Sequence, residues 1–141
     1  MKKYFLLLLA ISAVAFMGCN NDDDDNVDGP PEYTIEIISP NTDDKHNGDD
    51  LTVKIRVTEK NNKTIHHFSA RIYQEGDESV VLMPAESDKH VHEEDGDYTF
   101  EKTITLSVTG HHDYILEAKA WGHEAGLAEV VETISFHVHP M

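Results

Sequence analysis

Between residues 33 and 138, apolar side chains recur at every second position, the repeat of an extended strand that buries one face. Tyr33, Ile35 and Ile37 alternate with polar partners until Ser39-Pro40-Asn41 breaks the run. Leu51, Val53, Ile55 and Val57 alternate with Thr52, Lys54, Arg56 and Thr58, a clear half-buried strand, and Glu59 to Lys63 reads as a polar turn. Phe68, Ala70 and Ile72 predict a third strand, with His67, Ser69, Arg71 and Tyr73 on its other face. Ser79 to Met83 predicts a short fourth. Tyr98, Phe100, Ile104 and Leu106 predict a fifth, its inward row interrupted by Lys102. Tyr114, Leu116, Ala118 and Ala120 predict a sixth, and Ile134, Phe136 and Val138 the last. No segment sustains helical periodicity. About seven short strands in about 110 residues predict an all-β domain, an antiparallel sandwich.

The sixth strand carries a resemblance. Gly110-His111-His112-Asp113-Tyr114-Ile115-Leu116-Glu117-Ala118 resembles the penultimate strand of immunoglobulin-like domains, bacterial surface ones included. The resemblance implies that Tyr114 packs at a corner with its hydroxyl bonded back to the backbone. Trp121-Gly122-His123-Glu124-Ala125-Gly126 is similar to the Asp-x-x-Gly turn of those domains, with His123 where an Asp often stands. That substitution removes one acidic ligand of a cadherin-type calcium site. The resemblance runs over residues 32–139 and implies an immunoglobulin-like β-sandwich occupying residues 32–141. Trp121 is either an exposed anchor for a partner or a rim residue of the core.

The N-terminal pattern is different. Lys2 and Lys3 precede a run from Phe5 to Phe16 broken only by Ser12, followed by Phe16-Met17-Gly18-Cys19. This resembles the signal peptide and lipobox of bacterial lipoproteins, with Phe16 in place of the usual Leu. The resemblance implies removal of residues 1–18 and attachment to a membrane through lipid on Cys19. The apolar run is shorter than the ~20 residues a spanning helix needs. Cys19 is the chain's only cysteine, so an intramolecular disulfide is excluded and lipidation gives the thiol a role. Residues 20–31, NNDDDDNVDGPP, hold no large apolar residue but Val27, and self-repulsion keeps such a segment extended. Residues 19–31 therefore read as an acidic flexible tether. It resembles the export tether of Gram-negative surface lipoproteins, which implies display on the outer face of the outer membrane.

Charge narrows the partners. The chain has a formal net charge of −16, and losing Lys2 and Lys3 makes it −18. Nucleic acid, which demands clustered Lys and Arg, is excluded, and so is lying flat on anionic lipid. Cationic partners, divalent metal ions among them, are favoured.

All ten histidines lie beyond residue 45: His66-His67, His90-Val91-His92, His111-His112 and His137-Val138-His139, with His46 and His123 single. Two residues apart on a strand means the same face, roughly 6.5 Å apart, and imidazole suits Zn and Cu. If Phe136 and Val138 face the core, His137 and His139 face outward. Immunoglobulin-like topology sorts the histidines into two polar groups. One holds His66, His67, His90, His92 and His123, with Glu93, Glu94 and Asp95 nearby. The other holds His46, His111, His112, His137 and His139, with Asp113 able to orient an imidazole. His90 and His92, with His66 or His67 and His123, form the leading metal cluster, and His137 and His139 with His111 or His112 the second. The alternative is that the imidazoles are ordinary exposed side chains softening an acidic surface.

No His-Glu-x-x-His, Gly-x-Ser-x-Gly or phosphate-cradling loop occurs, so no enzyme is expected. Acidic turns at Asp43, Asp44, Asp49 and Asp50, and at Asp95-Gly96-Asp97, do not have the EF-hand spacing. The expected function is a non-enzymatic cell-envelope lipoprotein displaying an immunoglobulin-like binding or accessory module, with an envelope protein or a divalent metal ion as partner. The alternative is Zn or Cu binding or buffering at the cell surface through the histidine clusters.

Overall fold

The computed structural model describes residues 29–61, 63–86, 89–93, 96–123 and 127–141; the expected signal peptide, Cys19 and most of the tether lie outside the described residues. The described residues form nine strands: β1 Tyr33–Ser39, β2 Lys45–His46, β3 Asp50–Glu59, β4 Ile65–Gln74, β5 Asp77–Met83, β6 Lys89–Glu93, β7 Asp97–Thr105, β8 His112–Trp121 and β9 Val130–His139. Among the described residues there is no helix. The seven strands expected from alternation are all present. β2 and β6, two and five residues long, were invisible to it because a period cannot be read from so few positions.

Two sheets pack face to face. β1, β3 and β7 make the smaller, antiparallel one, and the larger runs β2-β9-β8-β4-β5, with β6 also paired to β4. The chain changes sheets between β1 and β2, and β2 lies parallel to β9. Alternation determines what the sheets bury: Leu51, Val53, Ile55 and Val57 from β3, and Tyr114, Leu116, Ala118 and Ala120 from β8. Phe68 on β4 meets Tyr98 and Phe100 on β7 with ring centroids 5.3 Å apart, which joins the sheets. Its partner in register on β8 is Ala120, and Ala70 faces Ala118, so small side chains leave room for the rings. Lys102, the interruption in β7, forms an ion pair with Glu86.

The corner tyrosine differs from expectation. Tyr114 is buried and stacks on Phe136, centroid to centroid 6.3 Å, but among the described residues its hydroxyl makes no bond to backbone. Tyr33 makes such a bond instead, donating to the Thr64 carbonyl at 3.2 Å. The polar turn after β3 is held by a carboxylate. Glu59 is 4 % exposed and accepts from the amides of Glu32 at 2.9 Å, Asn61 at 2.9 Å and Lys63 at 2.5 Å. Its own amide donates to the Gly96 carbonyl at 2.7 Å. Gly96 has a φ of +71°, and a Cβ there would stand 3.0 Å from the Glu59 carbonyl oxygen, so only glycine fits.

On the outer face of the larger sheet, Arg71 grips Glu117 with two bonds, Nε to Oε1 at 2.9 Å and Nη2 to Oε2 at 3.1 Å. The bonds from the Arg71 guanidinium hold the Glu117 carboxyl below the usual glutamate range. A carboxyl whose pKa is depressed on folding stabilises the protein above its unfolded value, about 4.3, and that contribution is lost as pH falls through the folded value. Wild type is therefore expected to lose stability more steeply than Glu117→Gln below about pH 4.3, read as the difference between urea midpoints measured from pH 6 to pH 2.5. Parallel curves would show that the pair contributes nothing.

Candidate metal centre

Three segments meet at one corner of the larger sheet. β9 turns Phe136 and Val138 inward, so His137 and His139 emerge on the outer face. On one side, β8 sets Asp113 opposite His137 and His112 opposite Val138, so His111, two residues before Asp113, comes beside His139. On the other, β2 sets His46 opposite His139, and Asp44 just precedes it. The corner is thus two rows across three strands: His46, His139 and His111 above Asp44, His137 and Asp113. Adjacent strands lie about 4.8 Å apart, within reach of imidazole rings.

β2 owes its place to polar contacts. The Asn47 amide donates to the His139 carbonyl at 2.8 Å, and the Gly48 amide to Leu106 at 2.9 Å, tying the turn to both sides of the sandwich. Lys45 Nζ donates to Asn41 Oδ1 at 2.8 Å, which closes the loop carrying Asp44.

The donor atoms of His111, His137 and His139 all lie within 4.8 Å of one another. His137 Nε2 is 3.4 Å and His139 Nδ1 3.1 Å from His111 Nδ1. Two nitrogens bound tetrahedrally to one zinc ion at about 2.05 Å stand roughly 3.3 Å apart, so both separations match edges of such a shell. The other ring nitrogens of His137 and His139 face carboxylates: His137 Nδ1 is 2.8 Å from Asp113 Oδ1, and His139 Nε2 3.1 Å from Asp44 Oδ2. A carboxylate accepts only, so the ring protons sit on those atoms. The lone pairs of His137 Nε2 and His139 Nδ1 are then aimed at His111, as in carboxylate–histidine–metal triads. The bond from His139 holds the Asp44 carboxyl below the usual range. Asp113→Ala and Asp44→Ala are each expected to weaken metal binding by roughly 10–100-fold while leaving the urea midpoint near wild type; unchanged affinity would remove both from the site.

His112 does not join the trio. It lies on the inward row with Tyr114, edge-on to that ring at 6.4 Å, so His111 and His112 serve different faces. At the opposite pole, ten residues along β8, His66 and His123 stand 5.2 Å apart beside a cavity of about 280 Å³. His67 is buried and stacks on Trp121 at 5.1 Å and 7°, which makes Trp121 a half-buried rim residue. β6 sets His90 opposite His67 in register, but the side chains of His90, His92 and Glu93, and residues Glu94 and Asp95, lie outside the described residues. Among the described residues, three donors converge at the β2–β9–β8 corner and not at this pole.

The acidic first loop has protein partners throughout. Asp43 accepts from Asn41, Asp49 from the His46 amide at 2.9 Å, and Asp50 from Thr105 at 2.7 Å. Asp44 belongs to the same loop, and its sequence surroundings do not distinguish it from its acidic neighbours. It lies 95 residues from His139, and no spacing signal could join them.

Neither a family model nor a curated protein matches the chain. It is similar to the CARDB domain of a Pyrococcus furiosus protein in its solution NMR structure, at 17% identity over 77% of this chain and 95% of that one, with a TM-score of 0.52. It is equally similar to a crystal structure of that CARDB domain in complex with di-metal ions, at 16% identity over 77% and 89%, with a TM-score of 0.52. Likeness at this identity concerns the fold, which is an immunoglobulin-like β-sandwich.

Proposed function

We propose that this chain is a non-enzymatic, lipid-anchored cell-envelope protein whose immunoglobulin-like module binds a transition metal ion, Zn²⁺ or Cu²⁺. The observation that carries the reading is the convergence of nitrogens from His111, His137 and His139, two of them oriented by Asp113 and Asp44. Three imidazoles and no sulfur suit these borderline ions better than Mg²⁺ or Ca²⁺, which take oxygen ligands. The Pyrococcus furiosus domain in complex with di-metal ions is a precedent for metal on this fold. The net negative charge favours capture of a cation.

The path of the chain sets the metal site far from the point of attachment. Residues 29–31 enter beside His66 and His123, where the Asn61 side chain donates to the Pro30 carbonyl at 2.9 Å. The His111–His137–His139 corner lies at the other end of β8, roughly 30 Å away at about 3.3 Å per residue. A domain held through Cys19 and the tether then carries its metal site at the end remote from the anchor, and the acidic tether favours display at the outer face of the outer membrane. Replacing Cys19 by alanine is expected to leave uncleaved precursor; normal processing and membrane retention would refute the anchor. Calorimetric titration of the full chain in detergent with Zn²⁺ and Cu²⁺ tests the site. Binding tighter than about 10 μM, roughly −7 kcal/mol, is expected, and weaker binding of both ions would refute it.

A further inference from the structure

The trio leaves a fourth position on a tetrahedral ion, and one more imidazole stands beside it. His46 is opposite His139 in the parallel β2–β9 pairing, on the same outer face. Its ring lies 5.4 Å from that of His139, closer than the 5.7 Å between His111 and His137, which do belong to the trio. As it stands, the ring is stacked on His139 and outside the group of converging donors. Little opposes its rotation. The side chain is 66 % exposed, and its approach to Asp49 is a loose 3.8 Å. The backbone, in contrast, is held: Asp49 accepts from the His46 amide at 2.9 Å, and the next amide, of Asn47, donates to the His139 carbonyl at 2.8 Å. The ring can therefore turn without moving the strand.

Other nearby donors are committed. Asp44 and Asp113 accept the ring protons of His139 and His137, and His112 packs on Tyr114. We infer that His46 turns off its stack to become the fourth ligand, closing the ion in a shell of four imidazoles and clamping β2 onto β9. This rests on the three-histidine reading and deepens it. A closed four-ligand tetrahedral site retains its ion, whereas a three-ligand site keeps a position open for water or substrate. The module then sequesters the ion rather than using it for chemistry.

X-ray absorption on the full chain in detergent, loaded with Zn²⁺, reads the shell directly. Four imidazoles are expected in wild type, and three with one water oxygen in His46→Ala. The same variant is expected to bind Zn²⁺ at least 30-fold more weakly. Zn²⁺ should also slow exchange of the Asn47 amide at least tenfold in wild type but not in the variant. A wild-type shell of three imidazoles with water, or His46→Ala within threefold of wild-type affinity, overturns the role of His46 and leaves the three-histidine site standing. Failure of wild type to bind Zn²⁺ overturns the role of His46, and failure to bind Cu²⁺ as well overturns the three-histidine site.

Discussion

His139→Ala is expected to abolish tight Zn²⁺ and Cu²⁺ binding, with affinity falling by at least about 100-fold, or roughly 2.7 kcal/mol. His139 is the hub of the corner: its ring lies 4.6 Å from His137, 5.0 Å from His111 and 5.4 Å from His46. It also takes the bond to Asp44, so removing it deletes one donor and releases the carboxylate that orients it. Metal at about 100 times its dissociation constant adds about 2.7 kcal/mol to a protein that binds it only when folded. For a domain of this size that raises the melting temperature by about 10 °C, and His139→Ala should lose the rise. Without metal the two proteins should melt within about 2 °C of each other, because the substitution removes a side chain at the sheet corner rather than part of the core. His112→Ala is the control and should keep wild-type affinity, since its ring faces Tyr114. Equal loss in both variants would mean that the corner responds to general disturbance and not to loss of a ligand.

The largest effect on stability is expected at Glu59. Glu59→Ala should cost about 3 kcal/mol, because three part-buried backbone amides lose the buried carboxylate that accepts from them. With a urea slope of about 1–1.5 kcal/mol per molar, the midpoint falls by about 2–3 M. Glu59→Gln should recover less than half of that. Its carbonyl oxygen can still accept, but its NH₂ group points at amide donors. Trp121 fluorescence can report the transition. Because Glu59 lies at the pole where residues 29–32 enter, the folded variant should bind Zn²⁺ within twofold of wild type. A midpoint within 0.5 M of wild type would show that water satisfies these amides and that the turn does not depend on the carboxylate.

Much of the fold was legible because burial on a strand is a local property. Leu51 to Val57 and Tyr114 to Ala120 announce their inward faces without reference to any partner, and those residues are buried. The outward direction of His137 and His139 follows from the same rule, since Phe136 and Val138 are committed to the core. Glu59 was not legible. A glutamate opening a polar turn looks solvated in sequence, and it is buried only because residues 29–32 and Gly96 fold over it. The minor strands were hidden for a different reason: β2 is placed by hydrogen bonds to β9 rather than by any apolar pattern of its own.

The candidate site divides along the same line. The sequence by itself determined that the chain is an alternating-strand sandwich, and that His137 and His139 share one outward face. With the immunoglobulin-like resemblance added, it also assigned His46, His111 and His112 to their end of the domain. Only the tertiary structure decided that His111 and not His112 completes the trio, and that Asp44 and His46 arrive beside His139. Those outcomes depend on which strand edges pair and in what register. Contacts between residues 95 apart leave no period in the chain, because nothing local distinguishes the aspartate that meets an imidazole from its neighbours in the same acidic loop.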